Sequence, residues 1–486
     1  MLKTNPKYEA VIGLEVHAQL LTGSKAFCSC STKFGSSPNS NVCPVCLGHP
    51  GVLPVLNKKV IEFAVLLGLA CNCKISERSI IARKNYFYPD LPKGYQISQY
   101  EEPICENGHL TIQLSSGIKK IGITRIHFEE DAGKLIHDHG TDTLVDVNRC
   151  GTPLLEIVSE PDIRTAEEAS QYLMKLRQLV QYLEICDGNM EEGSLRCDAN
   201  ISIRETGSSA LGIKTEIKNM NSFRNVERAI NFEIERQIDL IENGEKVIQQ
   251  TLLWNADNNE AIPMRSKEDA HDYRYFPEPD LFPVLVDKEW MNKIKNILPE
   301  LPDIKRERFI KDFNLPEYDS DILTQSKPVA DYYEKVISIS DDYKSASNWV
   351  MVDVMKILNE NKISIDEFSF PPSRLGKLIN LINDGTVSNK IAREIFPELI
   401  QTGKEPDILI KEKNLGQISD VKLIDEIITE VLNKSRNEVT EFLSGKEKVF
   451  SSFVGKVMKA TSGKANPKIV NEILKQKLEQ LKQSVQ

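Results

Sequence analysis

The sequence predicts an α+β protein with a strand-rich first part and a helical remainder, and three observations predict this order. First, several early segments alternate apolar and polar residues, as half-buried antiparallel strands do. Second, from Lys305 onward the apolar residues recur at helical spacing. Third, breaks that contain proline and glycine divide the chain near residues 298–302 and 403–406. The predicted parts are residues 1–298, 299–405 and 406–486.

Five segments of the first part alternate at period two, and we expect each of them to be a strand. In the first segment, Leu14, Val16 and Ala18 point to one side, whereas Glu15 and His17 point to the other. One face of the resulting sheet is therefore apolar and the other is charged. The segments are residues 11–20, 121–131, 154–160, 194–204 and 213–218.

Two helices of the remainder can be placed from their sequences. One carries an apolar stripe formed by Leu375, Leu378, Ile379 and Ile382. The final helix is expected to begin with Asn466 as its N-cap and Pro467 in its first turn. Its apolar face consists of Ile469, Val470, Ile473, Leu474 and Leu478.

The charged face of the sheet has two interpretations. Antiparallel sheets often expose one face to solvent, and a solvated face carries charge without further purpose. However, Glu15 and His17 leave the same strand face, and Glu129 and Glu130 are adjacent acids near His127. Clustered carboxylates repel one another unless a cation lies between them. Carboxylates with an imidazole therefore indicate a site for Mg²⁺, which binds through a few carboxylates together with phosphate oxygens and water.

Basic residues are interleaved with these acids, and together they suggest phosphoryl transfer. The sequence contains neither the phosphate-binding motif GxxxxGK[ST] nor GxGxxG, so an ATP site would be of another type. The basic residues are Arg83, Lys84, Arg125, Arg196, Lys214 and Lys218.

Four cysteines in two close pairs indicate a metal site. Cys28 and Cys30 precede Cys43 and Cys46 by twelve intervening residues, and four thiolates suit a tetrahedral structural Zn²⁺. The alternative is four reduced thiols without a metal. A site filled by four protein ligands leaves no open position for chemistry, so the zinc would be structural.

Charge is distributed unevenly along the 486 residues, a length that suffices for two to four domains. The formal net charge is −10, but residues 434–486 contain eleven Lys and Arg against five Asp and Glu, a net of +6. The remainder therefore carries −16. A basic tail on an acidic body indicates either a solvated pair of charged helices or a surface for an anionic partner.

We expect a cytoplasmic protein. The sequence has no apolar run of the ~18 residues that a membrane span requires. Its polar start, residues 1–8, also lacks the apolar stretch of a secretory signal.

Six motifs between residues 11 and 280 resemble the B subunit of the tRNA-dependent aspartyl/glutamyl-tRNA(Asn/Gln) amidotransferase, and the resemblance extends from about Tyr8 to the final helix. They are long and occur in the family's order, so chance agreement is negligible. The motifs are VIGLEVH (11–17), RKNYFYPD (83–90), HFEEDAG (127–133), GTPLLEIVSEPD (151–162), MEEGSLRCDAN (190–200) and DYRYFPEPD (272–280).

The resemblance implies an antiparallel-sheet cradle, a helical domain and a helical tail that binds tRNA. It implies a ligase that forms a carbon–nitrogen bond. Members of this family transfer the γ-phosphate of ATP to the side-chain carboxylate of Glu-tRNA(Gln) or Asp-tRNA(Asn). A partner amidase (glutaminase) chain supplies ammonia from glutamine, and a small third chain completes the heterotrimer. The family's structural zinc occurs in some members only.

The resemblance also implies roles for individual residues. The family's metal and catalytic positions match Glu15, His17, Glu129, Glu130 and Glu156, and we expect Glu15, His17 and Glu130 to hold magnesium. Asp198, Asn200 and Glu216 join the candidates because of their place on the strand faces. Contacts to phosphate or acyl groups are expected from Lys84, Arg125, Arg196 and Lys214, each of which could instead be an ordinary ion-pair partner. The expected tRNA contacts are Lys446, Lys448, Lys456, Lys459, Lys464 and Lys468.

Three other functions compete with this interpretation. A non-catalytic tRNA-binding component of the same complex would turn over no nucleotide. A stand-alone amidase is disfavoured because the sequence has no Gly-Ser-Ser-rich nucleophile segment with a paired lysine. An aminoacyl-tRNA synthetase is disfavoured because the HIGH and KMSKS signatures are absent.

Overall fold

The alternating segments of the first part form one nine-stranded sheet. In the computed structural model its strand order is β14-β13-β12-β11-β1-β10-β7-β6-β2. All five strands expected from the sequence are present, as β1, β7, β10, β11 and β12, and the predicted α+β class is confirmed. The strands of this sheet are β1 (Tyr8–Gln19), β2 (Lys74–Ile75), β6 (Cys105–Leu114), β7 (Gly117–Glu130), β10 (Pro153–Ser159), β11 (Leu195–Glu205), β12 (Thr215–Lys218), β13 (Thr251–Asn255) and β14 (Glu260–Pro263).

The structure describes residues 7–139, 142–264, 273–417, 421–461 and 464–485. They fall into two compact units, Met1–Pro302 and Asp303–Gln486. Residues 1–6 of the polar N-terminal segment lie outside the described residues. So does Asp272, the first residue of the motif at 272–280.

One strand pair of the large sheet is parallel, although the sequence predicts antiparallel strands. β12 and β13 run side by side in the same direction, with Glu216 opposite Thr251. A parallel pair needs a crossover connection, and helix α3 (Phe223–Glu242) lies between these strands in the chain. Ser222 caps this helix by accepting a hydrogen bond from Asn225 N–H.

Helices cover the apolar face of the sheet. Ile12, Leu14 and Val16 of β1 are completely buried, and they share one hydrophobic core with residues of the helices. Thr165 caps helix α2 (Ala166–Tyr182) by accepting a hydrogen bond from Glu168 N–H, and two glutamates in the first turn of α2 interact favourably with the helix dipole. The unit also contains α1 (Lys58–Ala70) and α4 (Lys288–Ile297).

Three smaller sheets complete the first unit. One joins the motif segments at 83–90 and 272–280, because Phe276 of β15 pairs with Arg83 of β4. The smaller sheets consist of β15-β4-β5, β16-β3 and β8-β9. Their strands are β3 (Arg78–Ser79), β4 (Ala82–Asn85), β5 (Tyr95–Ser98), β8 (Lys134–His139), β9 (Asp142–Asp146), β15 (Phe276–Pro277) and β16 (Val284–Leu285).

The second unit is helical where it is described. Its helices are α5 (Pro302–Phe313), α6 (Glu317–Leu323), α7 (Lys327–Ile337), α8 (Tyr343–Asn348), α9 (Met355–Asn361), α10 (Pro372–Asn383), α11 (Asn389–Thr402), α12 (Pro406–Glu412), α13 (Val421–Lys434), α14 (Arg436–Leu443), α15 (Phe450–Ala460) and α16 (Pro467–Val485). A π-helical segment, Trp349–Val354, and a 3₁₀ turn, Glu447–Val449, are also present.

Both helices placed from the sequence are confirmed. Leu375, Leu378 and Ile379 are fully buried on α10. The side chain of Asn466 accepts a hydrogen bond from Lys468 N–H at 3.0 Å, which caps α16.

The second unit contains two separate hydrophobic clusters. Leu409 and Ile410 of α12 belong to the first cluster, together with Phe309. The second cluster begins at Ile424 and ends at Leu478. The division predicted between residues 405 and 406 stays a prediction, and these cores favour a tail that begins after α12. No helix in the described part of the chain is long and apolar enough to cross a membrane.

Candidate active site

The strand register brings four polar residues into one row across the charged face of the sheet. His17 of β1 lies opposite Arg196 of β11 on one side and opposite Glu156 of β10 on the other. Glu156 in turn lies opposite His127 of β7. Side chains directly opposite one another in neighbouring strands start about 5 Å apart, so the register alone assembles this row.

His17, Glu129 and Glu156 converge in space. The Nε2 atom of His17 lies 3.6 Å from Glu129 Oε1 and 3.4 Å from Glu156 Oε2. The ligand atoms of all three residues lie within 4.8 Å of one another. Glu129 and Glu156 are buried, at 3% and 7% exposure, so their negative charges are poorly screened by water.

The electrostatics of the cluster favour an added positive charge. Burial acts to lower the pKa of His17, but Glu156 and Glu129 raise it above the ordinary value. Burial acts to raise the pKa of Glu156, but His127 and His17 hold it well below the usual range. Either a proton on His17 or a metal cation between the three side chains would balance the negative charge of the two carboxylates.

The donor set fits Mg²⁺. Octahedral Mg²⁺ with ligands at about 2.1 Å places neighbouring ligand atoms about 3 Å apart. The observed separations of 3.4 and 3.6 Å from His17 Nε2 need only small side-chain adjustments to reach this value. Two carboxylates and one imidazole also leave coordination positions for water or phosphate oxygens.

A second acidic group lies beside the first. Asn200 Nδ2 donates to Glu15 Oε1 at 2.9 Å, which fixes one carboxylate oxygen of Glu15. Lys218 donates to Asp198 and lies 2.9 Å from Glu216 Oε1, so its ammonium bridges the two acids. Burial, followed by the nearby Glu156 and Glu216 carboxylates, raises the pKa of Glu15. Glu15, Asp198 and Glu216 thus form a concentration of negative charge that Lys218 partly neutralises.

Glu130 does not join either group. Alternation along β7 places it on the opposite face from Glu129, and it is 1% exposed. Its carboxylate accepts hydrogen bonds from Lys93 Nζ and from Ile97 N–H, the latter at 2.8 Å. The expected magnesium set of Glu15, His17 and Glu130 is therefore not assembled. Glu129 takes the place beside His17 that the sequence interpretation gave to Glu130.

The four basic candidates have different surroundings. Lys84 Nζ lies 3.9 Å from Glu129 Oε2 and 5.0 Å from the ring centroid of Tyr273. Burial would lower the pKa of Lys84, but Glu129 and other anionic neighbours raise it, so the amine stays charged. Arg125 has a buried Nε that has no hydrogen-bond partner within the described residues. Lys214 is exposed and precedes β12.

Arg196, the fourth candidate, is anchored by Asp131. Its Nη2 donates to Asp131 Oδ2 at 3.0 Å, and Arg149 Nε approaches the same oxygen at 3.4 Å. Asp131 is 3% exposed and directly follows β7. It therefore fixes the direction of the Arg196 side chain at the end of the polar row.

His127, Asp131 and Lys218 lie at the site but are not among the expected site residues, although the sequence places His127 beside the two acids and Lys218 among the interleaved basic residues. The period-two pattern contains a signal for all three. His127 shares a strand face with Glu129, and Lys218 shares one with Glu216. Asp131 follows Glu129 by two residues and so shares that face too, but its partner Arg196 lies 65 positions away in the chain and could not be identified from this pattern.

Two family models match the chain. One, described as the GatB/GatE catalytic domain, matches residues 10–292, and a second, the GatB domain, matches residues 331–478. Proteins named as the B subunit of aspartyl/glutamyl-tRNA(Asn/Gln) amidotransferase are similar over nearly their full length. The one from Thermodesulfovibrio yellowstonii is 59% identical over 468 residues, which cover 96% of this chain and 98% of the relative. The one from Chlorobium phaeobacteroides is 57% identical, with 97% and 99% covered.

The chain belongs to the family of aspartyl/glutamyl-tRNA(Asn/Gln) amidotransferase B subunits. The model of the catalytic domain covers all the residues of the polar row and of both acidic groups. The family resemblance drawn from the six motifs is thereby confirmed.

In this family member, the four expected cysteines come together. Their Sγ atoms all lie within 4.8 Å of one another, and those of Cys43 and Cys46 are 4.0 Å apart. Tetrahedral zinc with ligands at about 2.3 Å places sulfur atoms about 3.8 Å apart, so the thiol set fits this metal. A hydrogen bond from Cys28 and the nearby Lys25 ammonium help to lower the pKa of Cys46 to about 4.

The six tail lysines of this family member fall into two sets. Three make contacts within the chain: Lys446 with Glu441 at 3.4 Å, Lys456 with Glu438, and Lys464 with the Asn414 carbonyl oxygen at 2.9 Å. The other three have no side-chain partner among residues 421–461 and 464–485 or elsewhere in the described chain. These unpaired lysines are Lys448, Lys459 and Lys468.

Proposed function

We propose that this chain activates the side-chain carboxylate of a mischarged aminoacyl-tRNA with ATP and forms the amide with ammonia. Its substrates would be Glu-tRNA(Gln), Asp-tRNA(Asn) or both, and its products Gln-tRNA(Gln) and Asn-tRNA(Asn). The observation that carries the proposal is the convergence of His17, Glu129 and Glu156 from three strands at 3.4–3.6 Å separations. The family to which the chain belongs supports the same reaction class, a ligase that forms a carbon–nitrogen bond.

The reaction needs activation because a carboxylate is a poor electrophile with no good leaving group. A phosphoryl group on one carboxylate oxygen supplies that leaving group. His17, Glu129 and Glu156 are the proposed ligands of Mg²⁺, which when bound would neutralise charge on the transferring phosphoryl group. Glu15 precedes His17 by two residues on the same face of β1, and we propose that the hydrogen bond from Asn200 holds the Glu15 carboxylate toward the proposed magnesium ligands.

The cationic side chains at the edge of the cluster would bind the oxygens of the phosphate and of the substrate carboxylate. Arg196 suits this role because Asp131 orients it and its side chain is still 33% exposed. Lys84 suits it because its charged amine lies 3.9 Å from Glu129. Lys218, between Asp198 and Glu216, is better placed than the exposed Lys214 to act within the site. Fixed donors of this kind stabilise developing charge without reorganisation.

We infer three further features of the working complex. A partner amidase chain would supply ammonia from glutamine, and a small third chain would join the two larger ones in a cytoplasmic heterotrimer. The cysteine centre would hold a structural zinc outside the reaction. The tail would bind the tRNA backbone through Lys448, Lys459 and Lys468, and a truncation after α12 should remove this binding but leave the first unit folded.

The alternative is a tRNA-binding component of the same complex without catalysis. An assay that combines the purified complex with γ-labelled ATP, mischarged tRNA and ammonium chloride distinguishes the two functions. Phosphate release that depends on mischarged tRNA, together with amide formation, supports catalysis here. The Glu129→Gln variant should lose both, while glutamine hydrolysis by the partner persists. Unchanged amide formation in this variant would instead favour the binding-only function.

A further inference from the structure

Lys25 is a buried lysine that has no carboxylate partner among the residues that the structure describes. Its exposed fraction is 0%, and it lies between β1 and α1 in the segment that carries the four cysteines. Transfer of an ammonium group from water into a protein interior is strongly unfavourable unless an opposite charge compensates it. The group that can carry a negative charge beside Lys25 therefore indicates what this lysine does.

The only side-chain partner of Lys25 in the described part of the chain is a metal-site cysteine. Its Nζ donates to the Asn41 carbonyl oxygen at 2.8 Å and lies 3.6 Å from Cys46 Sγ. Glu130 lines the same cavity but is already paired with Lys93. A neutral thiol is a weak acceptor and would leave the ammonium uncompensated.

The backbone holds Lys25 rigidly beside the cysteines. Its own N–H donates to the Cys30 carbonyl oxygen at 3.0 Å, and the N–H of Ala26 donates to the Gly151 carbonyl oxygen at 2.8 Å. These bonds fix the backbone of Lys25, and complete burial confines the side chain that reaches Cys46. A preorganised charge of this kind acts on the centre at low entropic cost.

We propose that Lys25 is the internal counter-ion of a metal centre formed by Cys28, Cys30, Cys43 and Cys46. Four thiolates and one divalent cation carry a net charge of about −2, which is costly to bury. The Lys25 ammonium offsets part of that charge and raises the affinity of the centre for a soft divalent ion, represented here by Zn²⁺. The proposal rests on the proposed zinc site and is independent of the amide-forming reaction.

Zinc binding by the complete chain tests this role. Wild type, Lys25→Met, Lys25→Arg and the control Lys33→Met, which changes an exposed lysine of the same segment, are stripped of metal and titrated with Zn²⁺ against a chromophoric chelator. Lys25→Met should bind zinc roughly tenfold to a hundredfold more weakly, as loss of a residue outside the ligand set does in other metal sites. Lys25→Arg and Lys33→Met should stay within a few-fold of wild type.

Thermal unfolding separates a counter-ion from a mere packing residue. If Lys25 is a counter-ion, zinc should raise the melting temperature of Lys25→Met less than that of wild type. Without metal, the variant should be no less stable than wild type. Equal destabilisation with and without zinc, failure of Lys25→Met to fold, or wild-type zinc affinity in this variant overturns the proposal. Absence of zinc binding by the wild type overturns it as well. Because neither ATP nor tRNA is present, these results do not depend on the amidation proposal.

Discussion

Replacement of Glu156 by glutamine tests the proposed magnesium cluster most directly. Glu156 lies at the centre of the polar row, with His17 Nε2 and His127 Nε2 at 3.4 and 3.5 Å from its Oε2. Glutamine keeps the size and one carbonyl oxygen of the side chain, so Glu156→Gln removes mainly its negative charge. The cluster of His17, Glu129 and Glu156 would then hold one carboxylate where it now has two.

The expected loss follows from Coulomb's law. One carboxylate charge at about 2.1 Å from a divalent cation contributes roughly 4 kcal/mol at the dielectric constant of water. Glu156 is only 7% exposed, so screening is weaker than in water and this value is a lower limit for the full charge. Because the amide oxygen retains part of the attraction, we expect a loss of about 3 kcal/mol, or roughly 100-fold in Mg²⁺ affinity.

Isothermal titration of the metal-free protein with Mg²⁺ or Mn²⁺ measures this loss, and the ammonia-dependent amidation assay measures its consequence. Glu160→Gln is the matched control, because Glu160 accepts a hydrogen bond from Thr124 at 2.7 Å outside the cluster. It should bind the metal as wild type does. If Glu156→Gln binds Mg²⁺ and forms amide as well as Glu160→Gln, the cluster is not the metal site.

Three other variants test separate parts of the structure. Glu15→Gln should stabilise the metal-free protein by about 1 kcal/mol in urea unfolding at pH 8. Because the pKa of Glu15 is raised in the folded state, its ionised form destabilises the fold at pH 8, and the gain in stability from Glu15→Gln must vanish below the ordinary pKa of a glutamate. A variant that is less stable than wild type at pH 8 would contradict this prediction. Asp131→Asn should slow amidation roughly tenfold to a hundredfold by releasing Arg196, with Mg²⁺ binding unchanged in titration. Joint replacement of Lys448, Lys459 and Lys468 by glutamine should weaken the salt dependence of tRNA binding. The negative slope of log affinity against log salt concentration should become shallower by about two to three. The control Lys434→Gln, paired with Glu430, should leave that slope unaltered.

Local patterns were sufficient to predict five strands of the large sheet and two helices of the second unit. Alternation along residues 11–20 sets the two faces of β1, and the stripe from Leu375 to Ile382 sets the buried face of α10. Such patterns follow from backbone periodicity and from the burial of apolar side chains, which act over a few residues. The crossover from β12 through α3 to β13 was missed because pairing direction depends on contacts between distant segments.

The residue types on the charged face, and the family to which the chain belongs, could be read from the sequence alone. Which of these residues meet depends on the folded chain. Strand register places Glu156 opposite both His17 and His127, and the pleat sends Glu129 toward them while Glu130 turns to Lys93. Register and pairing are long-range properties, so which side chains meet across strands is decided only in the folded chain, whereas the pleat that separates Glu129 from Glu130 is local. The charge partner of Lys25 was likewise hidden until folding brought Cys46 to 3.6 Å from its amine.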